Sequence, residues 1–364
     1  MAIALQQPLP TYMNDLSPED TDSKIAQYRH ELGERVVILG HHYQRDEIIK
    51  WADHRGDSLK LSQLAAANTH AEYIIFCGVH FMAETADILT SKQQSVILPN
   101  LAAGCSMADM ASIKQVETAW TDLQSVVNCT VVPVTYVNST AAIKAFVGRN
   151  GGACCTSSNA ARVISWAFNQ GDKLIFFPDQ HLGRNTSVAL GVDPGSEMVL
   201  WDPSLPFGGN SPESLMKAKV ILWKGHCSVH ARFTTDQIAQ ARRRYLGVRV
   251  IVHPECSLDV VGAADESGST EHIINAINQS PAGSIWGVGT EINLVNRLAA
   301  ELPDRKIFCL DPVVCPCSTM YRIHPYYLLW SLQNVHHGSP TNVITVPDEI
   351  AHDAKLALDR MLTL

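Results

Sequence analysis

The sequence predicts an α/β protein made of three homologous three-layer αβα domains, with parallel sheets arranged around a pseudo-three-fold axis. Two observations carry this expectation. Short β-branched runs recur along the 364 residues, each ending in Gly, Pro, Asn or His and leading into a helix-like stretch, which is the βα alternation of a parallel sheet. The runs also fall into three sets that repeat four features in one order. Chain length agrees, since it asks for two or three compact units.

Each set opens with a strand that ends in polar groups: VVILGHHYQ from Val36, VVPVTYVNST from Val131 and VRVIVHPECS from Val248. A serine-rich helix start comes next, as GDSLKLS at Gly56, CCTSSNA at Cys154 and ESGSTEHI at Glu266. The third feature is a strand with its turn: YIIFCGVHFMAETA, KLIFFPDQHLGRN and SIWGVGTEINLVNRL. A last strand closes each set on a cysteine, in VILPNLAAGCSM, VILWKGHCSVH and KIFCLDPVVCPCSTM. The expected domains are residues 1–123 with an N-terminal helix, 124–245, and 246–364 with a C-terminal helix. Ser17, three residues before Asp20, is the expected cap of the first helix.

Composition narrows the function. A net charge of -8 argues against a general nucleic-acid binder, which needs a basic surface. No apolar stretch approaches the length of a membrane span, and the first residues lack the pattern of a signal peptide, so a cytoplasmic protein is expected. In that reducing compartment its 10 cysteines read as core residues, metal ligands or nucleophiles rather than as a disulfide framework.

Functional groups of parallel sheets collect beyond the carboxyl ends of the strands. There the sequence places Cys105, Cys227 and either Cys315 or Cys317, each at a small-residue turn where a helix N-terminus favours thiolate. Three thiolates around an iron–sulfur cluster leave one iron open as a Lewis acid. His41, His42 and Tyr43 follow the first strand of the first set; Tyr136 and Asn138, then His253 and Glu255, hold the corresponding places in the others. Imidazole, phenol and carboxylate around one centre suit acid/base chemistry. Ser58, Ser157, Ser269 and Thr270 stand at helix starts, suited to capping or to holding carboxylate or phosphate.

Weaker signals are set aside. GVGTEI at Gly287 carries Ile292 where a dinucleotide fingerprint has its third glycine, and there is no phosphate-binding P-loop. Cys154 and Cys155 read as buried strand-end residues, and Cys77, Cys129 and Cys309 as core. Cys256 lies among the candidate catalytic groups.

Over nearly its whole length the chain resembles the quinolinate synthase (NadA) family. The residues that carry the likeness are GHHYQ, GDS, FCGVHFMAETA, TYVN, CTSSNA, FFPDQ, the GHCSVH turn, HPEC, SGST, GTE and CSTM. The resemblance implies one 4Fe-4S cluster on Cys105, Cys227 and Cys317, the last registered on Met320, with one iron open. It implies an enzyme of NAD biosynthesis that condenses iminoaspartate with dihydroxyacetone phosphate to quinolinate, releasing phosphate and water. His41 and Tyr43 become a substrate-binding and acid/base pair, and Tyr136 and Asn138 grip substrate. His253 and Glu255 bind substrate and transfer protons; Ser58, Ser157, Ser269 and Thr270 hold its carboxylates or phosphate. His230 belongs to the Cys227 motif. L-Aspartate oxidase or aspartate dehydrogenase would supply iminoaspartate. Two rivals use the same residues differently: a zinc-dependent hydrolase on His41, His42, Cys227 and His230, and a redox sensor whose cluster is a switch.

Overall fold

The computed structural model describes residues 6–313 and 316–364, so Cys315, the alternative to Cys317, lies outside the described residues. The chain folds as two compact units, Met1–Cys105 with Pro316–Pro347, and Ser106–Cys315 with Asp348–Leu364.

In the first unit β1 (Val36–His41), β2 (His54–Gly56), β3 (Tyr73–Cys77) and β4 (Ser95–Ile97) form a parallel sheet in the order β4-β3-β1-β2. Every residue of β1 is buried, as an unbroken apolar strand inside a parallel sheet should be. The second unit holds two sheets. One contains β5 (Val131–Tyr136), β6 (Ala153–Cys155), β7 (Lys173–Phe177), β8 (Met198–Trp201) and β9 (Val220–Trp223), in the order β6-β5-β7-β9-β8. The other contains β10 (Arg249–Val252), β11 (Glu266–Ser267), β12 (Ile285–Gly289) and β13 (Lys306–Cys309), in the order β11-β10-β12-β13. Finally, β14 (Val343–Ile344) adds to β4 as an antiparallel edge.

With β8 and β14 set aside, all three sheets share one order: fourth, third, first, second strand. The predicted α/β class is therefore observed, with three parallel-dominated sheets and helices between their strands. This order places a switch point between first and third strands, and the crevice at their carboxyl ends is where such sheets bind ligands. His41, Tyr136 and His253 stand at the ends of the first strands, and the Asp179 and Thr290 turns follow the third strands of the second unit's two sheets.

Ser17 caps the helix Pro18–Leu32 by accepting the Asp20 amide at 3.0 Å, as its spacing predicted. The last helix, Asp348–Thr363, packs against the helix Ala141–Arg149 and β6. That approach needs Gly148, because a Cβ there would lie 1.9 Å from the Asp353 carbonyl oxygen. Cys77, Cys154 and Cys155 are buried as expected, but Cys129 is exposed: it sits in the turn before β5, outside the apolar run. Among the described residues no helix is long and apolar enough to cross a membrane.

Candidate active site

The cysteine that closes each set begins the same local structure. Cys105-Ser-Met, Cys227-Ser-Val and Cys317-Ser-Thr each lead into a three-residue 3-10 helix: Ala108–Met110, His230–Arg232 and Met320–Arg322. A buried apolar residue follows, Ala111, Phe233 or Ile323. Then comes a residue whose side chain caps the next helix: Ser112, Thr234 or His324, in every case seven residues after the cysteine. Counting from Cys315 instead would break this register. The three thiols are half-buried, whereas Cys77, Cys154, Cys155 and Cys256 are sealed in the core. Burial pushes the Cys77 and Cys154 thiols up to about 12, so those side chains are inert. Partly open thiols at small-residue turns are the donors that suit a soft metal centre.

In the first unit, two turns are tied to the Cys317 turn. Asn100 donates to the Arg322 carbonyl at 3.0 Å and Arg322 donates back to the Ala102 carbonyl at 2.7 Å, linking the loop before Cys105 to the 3-10 helix after Cys317. The Arg45 guanidinium lies over the Tyr321 ring, 3.5 Å from its centroid, and Gln44 reaches Met320 Sδ at 3.8 Å. The turn that carries His41 and Tyr43 is thereby fixed. His41 Nδ1 accepts the Tyr43 amide at 3.1 Å, and the Tyr43 ring meets the imidazole edge-on at 4.7 Å. Ser58 is the first residue of the helix Ser58–Ala67, whose cap is Asp57.

The second unit brings Tyr136, His230, His253 and Glu255 into one buried cluster. His230 Nδ1 lies 2.7 Å from Glu255 Oε2, and its Nε2 lies 3.1 Å from Thr290 Oγ1. The Tyr136 hydroxyl donates to the same carboxylate. His253 stacks on His230 with ring centroids 4.4 Å apart. One ligand atom from each of Cys227, His230 and Glu255 falls within 4.8 Å of the other two, a group able to hold a metal ion.

Charge in this cluster is polarised. Burial opposes ionisation of Glu255, but the two imidazoles and the hydrogen bonds from His230 and Tyr136 outweigh it, and the carboxyl is held below the ordinary range. Burial and the Glu255 charge push Asp179 well above that range. Two carboxyls driven apart in this way mark an acid/base site. Burial lowers His253 to about 3, so its imidazole is neutral at physiological pH.

Several supporting residues went unread in the sequence. Asp179 accepts the Leu182 amide at 2.6 Å to cap its helix, and the Gln180 amide donates to the Gly225 carbonyl, stitching the β7 turn to the Cys227 turn. Gly225 is required there, since a Cβ would lie 2.3 Å from the Pro178 carbonyl oxygen. Asn185 donates to the carbonyls of Pro254 and Cys256, both at 2.8 Å, and so clamps the HPEC turn. PDQ and GTE are visible as motifs, yet nothing in their spacing says that the Asp179 turn meets the Cys227 turn or that the Thr290 hydroxyl meets His230. Ser269 caps its helix by accepting the His272 amide at 3.3 Å, with Thr270 beside it. Ser157 lies half-buried in the turn before the helix Ala160–Gln170, and the Asn138 Oδ1 is buried without a hydrogen-bond partner among the described residues.

Comparison with known proteins agrees with this geometry. Residues 23–363 match the family described as Quinolinate synthetase A protein. The chain is 56% identical over 360 residues to a quinolinate synthase of Corynebacterium glutamicum, covering 99% of this chain and 91% of the relative. It is 55% identical over 357 residues to one of Geobacillus thermodenitrificans (98% of this chain, 96% of the relative) and 52% identical over 360 residues to one of Bacillus subtilis (98% and 96%). With a match that runs through every strand end described above, the chain belongs to the quinolinate synthetase A family.

Proposed function

We propose that this chain is a quinolinate synthase: it condenses iminoaspartate with dihydroxyacetone phosphate to quinolinate, with release of phosphate and water, in NAD biosynthesis. Family membership over residues 23–363 carries this reading, and the buried Tyr136–Glu255–His230 chain supplies chemistry that fits it. The zinc-hydrolase alternative on His41, His42, Cys227 and His230 finds no support in the family or in the relatives.

The cofactor of this reading is a 4Fe-4S cluster on Cys105, Cys227 and Cys317. The identical turns after these three cysteines support the set and favour Cys317 over Cys315. When bound, such a cluster offers an iron without a protein ligand, a Lewis acid for loss of hydroxide. The residues of the chain do the rest. Glu255, held ionised, is suited to accept a proton, and Tyr136, which donates to it, passes protons along the same hydrogen bond. His41 and Tyr43 complete the set at the end of β1. His41, Tyr136, Asn138, His253 and Glu255 bind substrate, while Ser58, Ser157, Ser269 and Thr270 offer hydroxyls and helix-start amides to its carboxylates or phosphate. Burial of Tyr136, His230, His253 and Glu255 suits a site that keeps water from a labile imine.

The reading divides the repeats near residues 123 and 245, supported by their shared strand order. It places the enzyme in the cytoplasm, beside an L-aspartate oxidase or an aspartate dehydrogenase that supplies iminoaspartate. Anaerobically purified protein should be brown, contain iron and sulfide, and form quinolinate and phosphate from the two substrates. A colourless, zinc-loaded protein without that turnover would sink the proposal.

A further inference from the structure

One of the largest fully buried side chains in the second unit carries a charge. Lys144 is 0% exposed, in the helix Ala141–Arg149, between the buried Ile143 and Ala145. Lysine is an unfavourable choice there on two counts. A buried ammonium gives up its hydration, and an apolar side chain of similar volume is often as stable or more so. The ammonium also reaches back to Ser139, ahead of the N-terminal end of its helix, where the macrodipole disfavours a cation. A cation kept against both effects asks for a task other than packing.

That task is legible in what the ammonium touches. Lys144 Nζ donates to the Ser139 carbonyl, in the turn that leaves β5. The Ser139 hydroxyl donates to the Tyr136 carbonyl at 2.9 Å and lies 3.0 Å from Thr135 Oγ1, and both serine and threonine are buried. The Val137 amide donates to the Cys155 carbonyl at 2.7 Å, which joins this turn to the start of the one that carries Ser157. Residues 137–140, Val-Asn-Ser-Thr, contain neither glycine nor proline, the residues that shape a turn by backbone preference, so side-chain hydrogen bonds hold it. The same turn carries Tyr136, whose hydroxyl reaches Glu255, and Asn138. Lys144 has no surface open to an arriving molecule, so any effect it has on the chemistry passes through that turn.

We infer that Lys144, acting through Ser139, is a positioning residue: it fastens the Tyr136–Ser139 turn from behind and keeps the Tyr136 hydroxyl on Glu255. A displacement of about 1 Å at a reacting group costs about 10²-fold in rate, so a fastening of this kind matters to turnover even though it touches no substrate. The claim about turnover rests on the proposed function; the claim about the placement of Tyr136 does not.

Lys144→Met keeps the length of the side chain and removes its donor. Two readouts on the intact, cluster-loaded protein separate positioning from packing. Fluorine-19 spectra of protein labelled with 3-fluorotyrosine, with Tyr136→Phe assigning the Tyr136 signal, should show that signal displaced in Lys144→Met and the other tyrosine signals unmoved. Turnover of iminoaspartate and dihydroxyacetone phosphate, per iron-loaded chain, should fall about 10²-fold in kcat with KM within about threefold of the parent. A Tyr136 signal at its parental position, a shift shared by all the tyrosines, or a parental kcat in a variant that only melts earlier overturns the proposal. If Lys144→Met does not fold, Ser139→Ala, which deletes one hydroxyl of the same fastening, is read in its place; its Tyr136 signal should also move, and an unmoved one overturns the proposal. A parent that does not turn over the two substrates, with the Tyr136 signal displaced in the variant, refutes the proposed function and leaves the placement of Tyr136 by Lys144 intact.

Discussion

At the scale of single residues, the thiols and Glu255 make the sharpest predictions. Cys105→Ala, Cys227→Ala and Cys317→Ala should each remove the iron and the activity, whereas Cys315→Ala should stay brown and active, read as iron and sulfide per chain. A colourless Cys315 variant beside an intact Cys317 variant would reverse the assignment. Glu255→Gln preserves shape but exchanges one acceptor oxygen for an NH2 group and removes the charge that His230 and Tyr136 stabilise. Turnover should fall by about 10²–10⁴-fold with little change in melting temperature, the usual weight of a positioned proton acceptor. A variant that turns over at the parental rate would remove Glu255 from the chemistry. The sequence exposed these side chains because strand ends and cysteine turns are locally marked. It hid Asn185, whose two bonds to the Pro254 and Cys256 carbonyls span a sequence separation that no local pattern records.

At the scale of elements, two glycines separate function from packing. Gly225→Ala drives a methyl into the Pro178 carbonyl beside the Cys227 turn. It should cost about 1–3 kcal/mol by overpacking and lower cluster content in the folded protein. Gly148→Ala forces the last helix away from the helix Ala141–Arg149, far from any cysteine turn in sequence. Its melting temperature should fall while the folded fraction keeps its iron; equal iron loss in both variants would show that the Gly225 contact has no special link to the centre. The βα alternation and strand order were legible because buried parallel strands need continuous apolar runs. Which surface the last helix covers was not, because an amphipathic helix advertises an apolar face without naming its partner.

For the molecule as a whole, buried neutral histidine couples stability to pH. His253 is lowered from 6.5 to about 3 in the folded state, mainly by burial. The unfolded chain therefore binds a proton that the native state refuses, so this contribution is complete above the unfolded value and is lost as pH falls below it. From pH 7 to pH 5 the loss should be about 2 kcal/mol from this residue alone. His181, lowered to about 4 by burial, acts in the same direction. Asp179, raised by burial, acts against both on acidification, so the clean measurement is a difference. Melting temperature should decline less steeply with acid in His253→Gln than in the parent; parallel curves would mean that His253 ionises as freely folded as unfolded.

From the residues alone come the α/β class, the three-fold repetition, the family and the roll of candidate groups, because each is written in short contiguous patterns: apolar period, turn residue, cysteine turn. Tertiary structure decided how those groups act on one another. It paired His230 with Glu255, aimed the Glu255 amide at His253, and set Asp179 and Glu255 at opposite ends of the carboxyl range. Proton positions and charge states depend on neighbours a few ångströms away across the fold, and burial rather than residue type settles them.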